Sequence, residues 1–385
     1  VALPGGVVSG ASFATDSPHA DRPDLVALDY AFRFATAIQN DPKDRAKAQE
    51  LALAGYLAAG AYDEAGRAAA VIEGWRRGVV YADLASALAR DGRTSEARSW
   101  VDKAEEVRTT VDGWQNPRIS AHVAEALAAI GDPDKAFDIA SALAAQDPVQ
   151  YAGRAGATEA LALGLDGDLD AAMKKLQELE GNNDLDVAWW RTSGYLALAR
   201  REQSPASSRL AALDAARASA AVLPVERRVE AWLETASLYD AVGRAREGRS
   251  AVKAALGAVE AEGVGTSERI PYVIEIGRAW GALREPKRAR QALVQAEGLV
   301  PQAISIDRPG LLARIASGYR RIPDAPRARR LDEQAIEAAA QMPLSRPRAL
   351  ALSAICRQMG RDQVVPDPAL RARLDHLLAG LGDPW

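Results

Sequence analysis

The sequence predicts an all-α protein, a right-handed α-solenoid of about eight or nine antiparallel helix pairs, and three observations carry that expectation. From about residue 23 onward apolar positions recur with the period of a helix, and no strand-like alternation competes. The apolar segments are helix-length and separated by short breaks rich in Gly, Asp and Pro. Those breaks return at a nearly constant interval, the mark of a stacked repeat.

Composition agrees and narrows the chemistry. The chain has 385 residues, 48% hydrophobic, 26% charged and 5% aromatic, enough to bury a sizeable core. Every Ala-rich run is interrupted by Arg, Asp or Glu within about ten positions, short of the roughly 20 apolar residues of a membrane-spanning helix. Cys356 is the sole cysteine and His19, His122 and His376 the sole histidines, which leaves no internal disulfide and no Cys/His zinc site. No metal and no cofactor are expected. The net charge of −4 gives no general attraction for nucleic acid, and the eight Trp form no stacking platform interleaved with basic residues. Charge is uneven, however: residues 270–385 hold 18 Arg and Lys against 12 Asp and Glu, making this the basic end.

Along the chain, residues 1–22 read as a leader and linker, 23–360 as the repeat domain and 361–385 as a capping helix and tail. Within 1–14 (VALPGGVVSGASFA), Ser12 and Ala14 have the −3 and −1 spacing of a signal-peptidase site, so the expectation leans to export, with a short disordered leader as the alternative. Typical helical segments are Lys43 to Ala59, Tyr62 to Arg76, Arg118 to Ile130, Arg227 to Val242 and Leu311 to Ile322, and about 19 helices are expected. Ser95, Asp134 and Asp170 stand near helix starts as caps or first-turn acids.

Aligning the breaks shows a turn Gly followed five residues later by a small residue: Gly60 with Ala65, Gly92 with Ala97, Gly131 with Ala136, Gly167 with Ala172 and Gly243 with Gly248. Degenerate copies place Arg284 before Ala289 and Pro323 before Ala328, and the mean period is about 38 residues. Gly permits the tight turn, and the small residue lets the second helix approach the first.

These residues resemble the tetratricopeptide repeat family. Trp232, Ala236, Tyr239 and Gly243 follow its first-helix pattern, as do Tyr81, Leu84, Ala85 and Gly92; Tyr56, Gly60 and Tyr62 match its turn, and Gly277 with Trp280 and Ala316 with Tyr319 are weaker copies. The longer period and the loss of Gly at Arg284 and Pro323 depart from the family and keep HEAT-like assignments open. The resemblance implies a superhelix whose concave groove, lined by first helices, binds a protein or peptide partner.

By that register the groove candidates are Lys47, Glu50, Arg118, Glu125, Arg154, Arg191, Tyr195, Glu230, Arg278 and Arg320. Arg118, Arg154 and Arg191 suggest a guanidinium ladder for an acidic partner. The alternative is that they pair with carboxylates of adjacent units. Arg-rich second-helix starts at Arg284 to Arg290 and Pro326 to Arg330 read as a solvated convex face. No phosphate loop, nucleophile elbow or His-Glu-x-x-His is present, so a non-catalytic scaffold is expected. A sensory arm of a larger assembly is one alternative. An α/α-toroid carbohydrate enzyme is another, to be recognised by terminal helices that close a ring and a pocket gathering carboxylates with Trp.

Overall fold

The computed structural model describes residues 22–165, 167–180, 182 and 184–385, and among them are nineteen α-helices and no strand. The leader at 1–14, the linker up to residue 21 and His19 lie outside the described residues. Eight hairpins follow one another: α2 (Pro42–Ala58) with α3 (Tyr62–Ala70), α4 (Trp75–Arg90) with α5 (Thr94–Thr109), α6 (Gln115–Ile130) with α7 (Pro133–Gln146), and α8 (Pro148–Leu165) with α9 (Leu169–Glu178). The series continues with α10 (Leu185–Ala199) and α11 (Ala206–Ala220), α12 (Val225–Ala241) and α13 (Ala245–Ala261), α14 (Thr266–Ala282) and α15 (Pro286–Leu299), and α16 (Arg308–Arg320) and α17 (Ala325–Ala340). Three helices remain: α1 (Val26–Thr36), α18 (Ser345–Arg361) and α19 (Pro368–Ala379).

Local chemistry sets these boundaries. The carboxylates of Asp41, Asp168 and Asp367 accept backbone N–H bonds at 2.8–2.9 Å from Asp44, Ala171 and Leu370, capping α2, α9 and α19. Asp134 and Asp170 sit in first turns, where a negative charge suits the helix dipole. Gly60, Gly92, Gly131, Gly167 and Gly243 all turn through positive φ, 65° to 98°, and Arg284 takes φ 59° at the equivalent place. Pro323 cannot adopt that conformation. The small residues five positions on are buried, and a Cβ added to Gly248 would stand 2.8 Å from the Ala236 carbonyl oxygen, so the two helices are in near-backbone contact. One expected segment is divided: Tyr62 to Arg76 breaks after Ala70, because Gly74 adopts φ 70°, ψ −158°, a conformation open essentially to Gly alone.

The even-numbered helices form an inner layer and the odd-numbered ones back them. Each even helix packs on the next, from α2 through α18, and α18 packs on α2. The sequence predicts a superhelix with separate ends; the structure instead closes the circuit. The ninth hairpin is made from the two ends of the chain, since α1 packs along α18 as each odd helix packs along its even partner. Leu28 is fully buried there, against Gly55 of α2 and Gly360 of α18. Ser353 donates to the Ala31 carbonyl at 2.8 Å, Tyr30 to the Arg371 carbonyl at 3.2 Å, and Arg346 pairs with Asp41 at 2.6 Å. Leu28, Phe34, Leu352, Ile355, Met359 and Leu374 belong to one continuous core. Burying Leu25, Leu28 and Phe34 contributes roughly 5 to 9 kcal/mol at about 1.5 to 3 kcal/mol each.

Two expectations follow from this packing. Replacing fully buried Ala97 by Leu overfills the α4–α5 hairpin and costs about 1 to 3 kcal/mol, read as a lowered urea midpoint. Gly360→Val places new carbon where Leu28 already lies 2.5 Å from an added Cβ. It therefore separates α18 from α1, raising the radius of gyration and the hydrogen exchange of α1 while α6 and α7 keep their protection.

Candidate functional site

The inner layer opens into a cavity of about 630 Å³ between α12, α14, α16 and α18. Glu226, Glu230 and Leu233 of α12, Pro271, Tyr272, Glu275 and Arg278 of α14, Gly310 and Arg314 of α16, and Ala354, Arg357 and Arg361 of α18 line it. Their spacing of three or four residues puts each set on one helix face. A smaller hollow of about 170 Å³ shares Glu275 and Arg278 and extends toward Asp240 and Arg321.

Glu275 is the electrostatic centre of this wall. Arg278 donates to both its oxygens at 3.0 Å, and Arg314 donates to Oε1 through Nε at 3.2 Å and Nη2 at 2.9 Å. Burial pushes the Glu275 carboxyl up, but the two guanidiniums outweigh it and hold the group below its ordinary value. Nη2 of Arg314 also reaches the Pro271 carbonyl at 3.4 Å.

Arg357 is in a different position. Half-buried on α18, it makes no hydrogen bond or ion pair among the described residues, and neither does Arg361 one turn on. Burial first, then repulsion from Arg361 and Arg314, draws the Arg357 pKa below its usual value. Arg361 lies in the last turn of its helix, where the exposed carbonyl ends favour a cation; Arg357 lacks that support.

Of the candidates read from the sequence, Glu230 and Arg278 line the cavity. Lys47, Glu50, Arg118, Glu125 and Arg154 belong to inner-layer helices α2, α6 and α8 but lie outside it. Glu50 pairs with Arg76, and Arg154 donates to Glu125 at 2.7 Å. Arg191 and Tyr195 require correction, because both are buried between the layers. Arg191 donates to Ser219 of α11 at 2.8 Å, and Tyr195 is 1% exposed. The ladder is therefore not continuous: its third guanidinium turns toward the outer layer. Arg320 likewise points into the protein, bound to Asp332 and Asp362.

Sequence reasoning missed Glu226, Tyr272, Glu275, Arg314, Arg357 and Arg361. The signal available was the basic excess beyond residue 270, to which Arg314, Arg357 and Arg361 belong. Trp75, Trp189 and Trp190, by contrast, are packed under guanidiniums: Arg118 lies 5.3 Å from the Trp75 ring centre, Arg154 4.9 Å from Trp190 and Arg227 4.3 Å from Trp189. His122 is hydrogen-bonded to Asp83 at 2.8 Å, and Cys356 is wholly buried. Among the described residues no group of three or more His, Cys, Asp or Glu is gathered for a metal, and no helix is long and apolar enough to cross a membrane.

No family model matches the chain, and no curated protein does. Among solved structures it is similar to Ton1535 from Thermococcus onnurineus NA1, at 16% identity over 92% of this chain and 97% of that one, with a TM-score of 0.33. A likeness so slight carries no functional argument.

From Gln358, which also lines the cavity, a polar network ties α16, α17 and α18. Ser317 donates to Asp362 at 2.8 Å, Gln358 donates to Ser317 at 3.1 Å, and Arg320 bridges Asp362 and Asp332. One guanidinium thus faces two carboxylates. Burial pushes Asp332 up to about 6 despite Arg320, and Asp362 adds to the rise. The folded chain holds this proton more tightly than the unfolded chain, so the stability it contributes is present below the ordinary value of 3.8 and is lost as pH rises through about 6. Asp332→Asn removes that loss: the melting temperature of the variant minus that of the parent becomes more positive between pH 4.5 and pH 7.

Proposed function

We propose that the protein is a non-catalytic scaffold that holds a segment of an acidic partner protein in the cavity between α12, α14, α16 and α18. The observation that supports it most is the lining itself. Four guanidiniums face three carboxylates, and two of the four, Arg357 and Arg361, have no partner. The cavity is within the range of about 300 to 1,000 Å³ usual for sites that enclose a ligand, and Val229, Leu233, Pro271 and Ala354 give it apolar wall. In this reading the hairpins are tetratricopeptide-like and wound right-handed, with the final pair completed by α1.

Circuit closure favours a second reading, a helical-toroid carbohydrate enzyme, because Glu226, Glu230, Glu275 and Tyr272 meet in one cavity. Acid–base hydrolysis needs one carboxyl held protonated near neutrality. No Trp stands among the residues that line the cavity, which weighs against the enzyme.

Ala354→Trp fills the cavity from α18 and discriminates the two. The scaffold reading expects a defined partner to be captured by the parent protein and lost at least tenfold in the variant, with no reducing ends released from polysaccharides by either. Equal capture by both proteins refutes it, and reducing-end release that Glu226→Gln abolishes establishes the enzyme.

A further inference from the structure

Arg357 is an uncommon arrangement to keep. A half-buried guanidinium loses hydration and normally recovers it through a carboxylate, as Arg278 and Arg314 do on Glu275. Here the charges that act on it are two further cations, Arg361 and Arg314. Removing the positive charge would relieve both burial and repulsion. Arg357 lines the cavity, where an entering oxyanion would meet its N–H donors.

We infer that Arg357, with Arg314 and Arg361 beside it, forms a carboxylate-recognition site. It takes the side-chain or chain-terminal carboxylate of a peptide whose neighbouring apolar group rests on Val229, Leu233 and Ala354. The lining selects this ligand. Arg278 and Arg314 are engaged by Glu275, and Glu230 pairs with Arg227 at 3.5 Å, so Arg357 and Arg361 are the cations left open to an oxyanion. Leu233, Pro271 and Ala354 beside them offer apolar wall, which a carboxylate carried on an apolar group covers and inorganic phosphate does not.

The site rests on the scaffold reading and sharpens it, and the test separates their failures. Calorimetric titrations use three probes on the intact chain: an acetylated, amidated hexapeptide of alternating Glu and Leu; acetyl-Ala-Leu-Val with a free carboxylate, beside its amide; and inorganic phosphate. The parent protein is expected to bind the Glu-Leu peptide if side-chain carboxylates are the source, or the free-carboxylate tripeptide and not its amide if the chain terminus is. Arg357→Gln weakens that binding at least tenfold, while phosphate binds more weakly than the preferred peptide. The same variant melts at a higher temperature than the parent, since an unmatched buried cation is gone; a merely structural Arg would lower it. Equal binding by parent and variant, phosphate binding as tight as the peptide, or no binding of either peptide overturns the carboxylate site. If Ala354→Trp still abolishes partner capture in that case, the scaffold stands without it; if capture is also unchanged, both fall.

Discussion

Leu28 is wedged between two glycines that belong to opposite ends of the inner layer, Gly55 and Gly360, and the continuity of the circuit depends on that contact. Neither glycine has positive φ. Their value is the missing Cβ, because on both α2 and α18 a methyl group would occupy the space of a Leu28 methyl. The hydrogen bonds around this point, from Ser353 and Tyr30, end on backbone carbonyls of α1 and the α19 segment, so they fix the axial position of the helices while Leu28 fixes their separation.

Closure also explains why the cavity lies where it does. The inner helices α12 to α18 approach the junction from one side, and each presents a face of three- or four-residue spacing toward the middle. Were α18 free to swing away, Arg357 would gain water and its repulsion from Arg314 of α16 would fall. Apolar packing of α1 holds α18 in place, so burial near the termini offsets an electrostatic cost at the site. The network of Ser317, Gln358, Arg320, Asp332 and Asp362, which reaches the cavity wall at Gln358, ties α18 to α16 and α17.

Much of this fold was legible in the sequence, for physical reasons that differ from element to element. Gly60, Gly92, Gly131, Gly167 and Gly243 announce hairpin turns because few other residues accept positive φ, and Ala97 or Ala136 announce close helix approach because bulk is not tolerated there. The meeting of α1 with α18 left no comparable trace. Apolar periodicity marks a buried face without naming what covers it, and the two Gly that seat Leu28 look like ordinary small helix residues. At the site, Glu230 and Arg278 were found because their helices keep the repeat register. On the shorter α16 the lining sits nearly two turns earlier than that register expects, at Gly310 and Arg314 in place of Arg320. Arg191 was misplaced because a long side chain on a first helix can turn toward Ser219 as readily as toward the lumen.

A ninth hairpin shared by both ends has a temporal side. Ala31 and Ser353, which share a hydrogen bond, stand 322 residues apart. A ribosome adding about 5 to 20 residues per second needs roughly 16 to 64 s to bridge that distance. Throughout that interval the α18-facing surface of the first helix emerges without its cover. The nascent chain thus carries that apolar surface uncovered until α18 has been made, and the emergence of α18, rather than early local folding, sets the moment at which the inner cavity first exists.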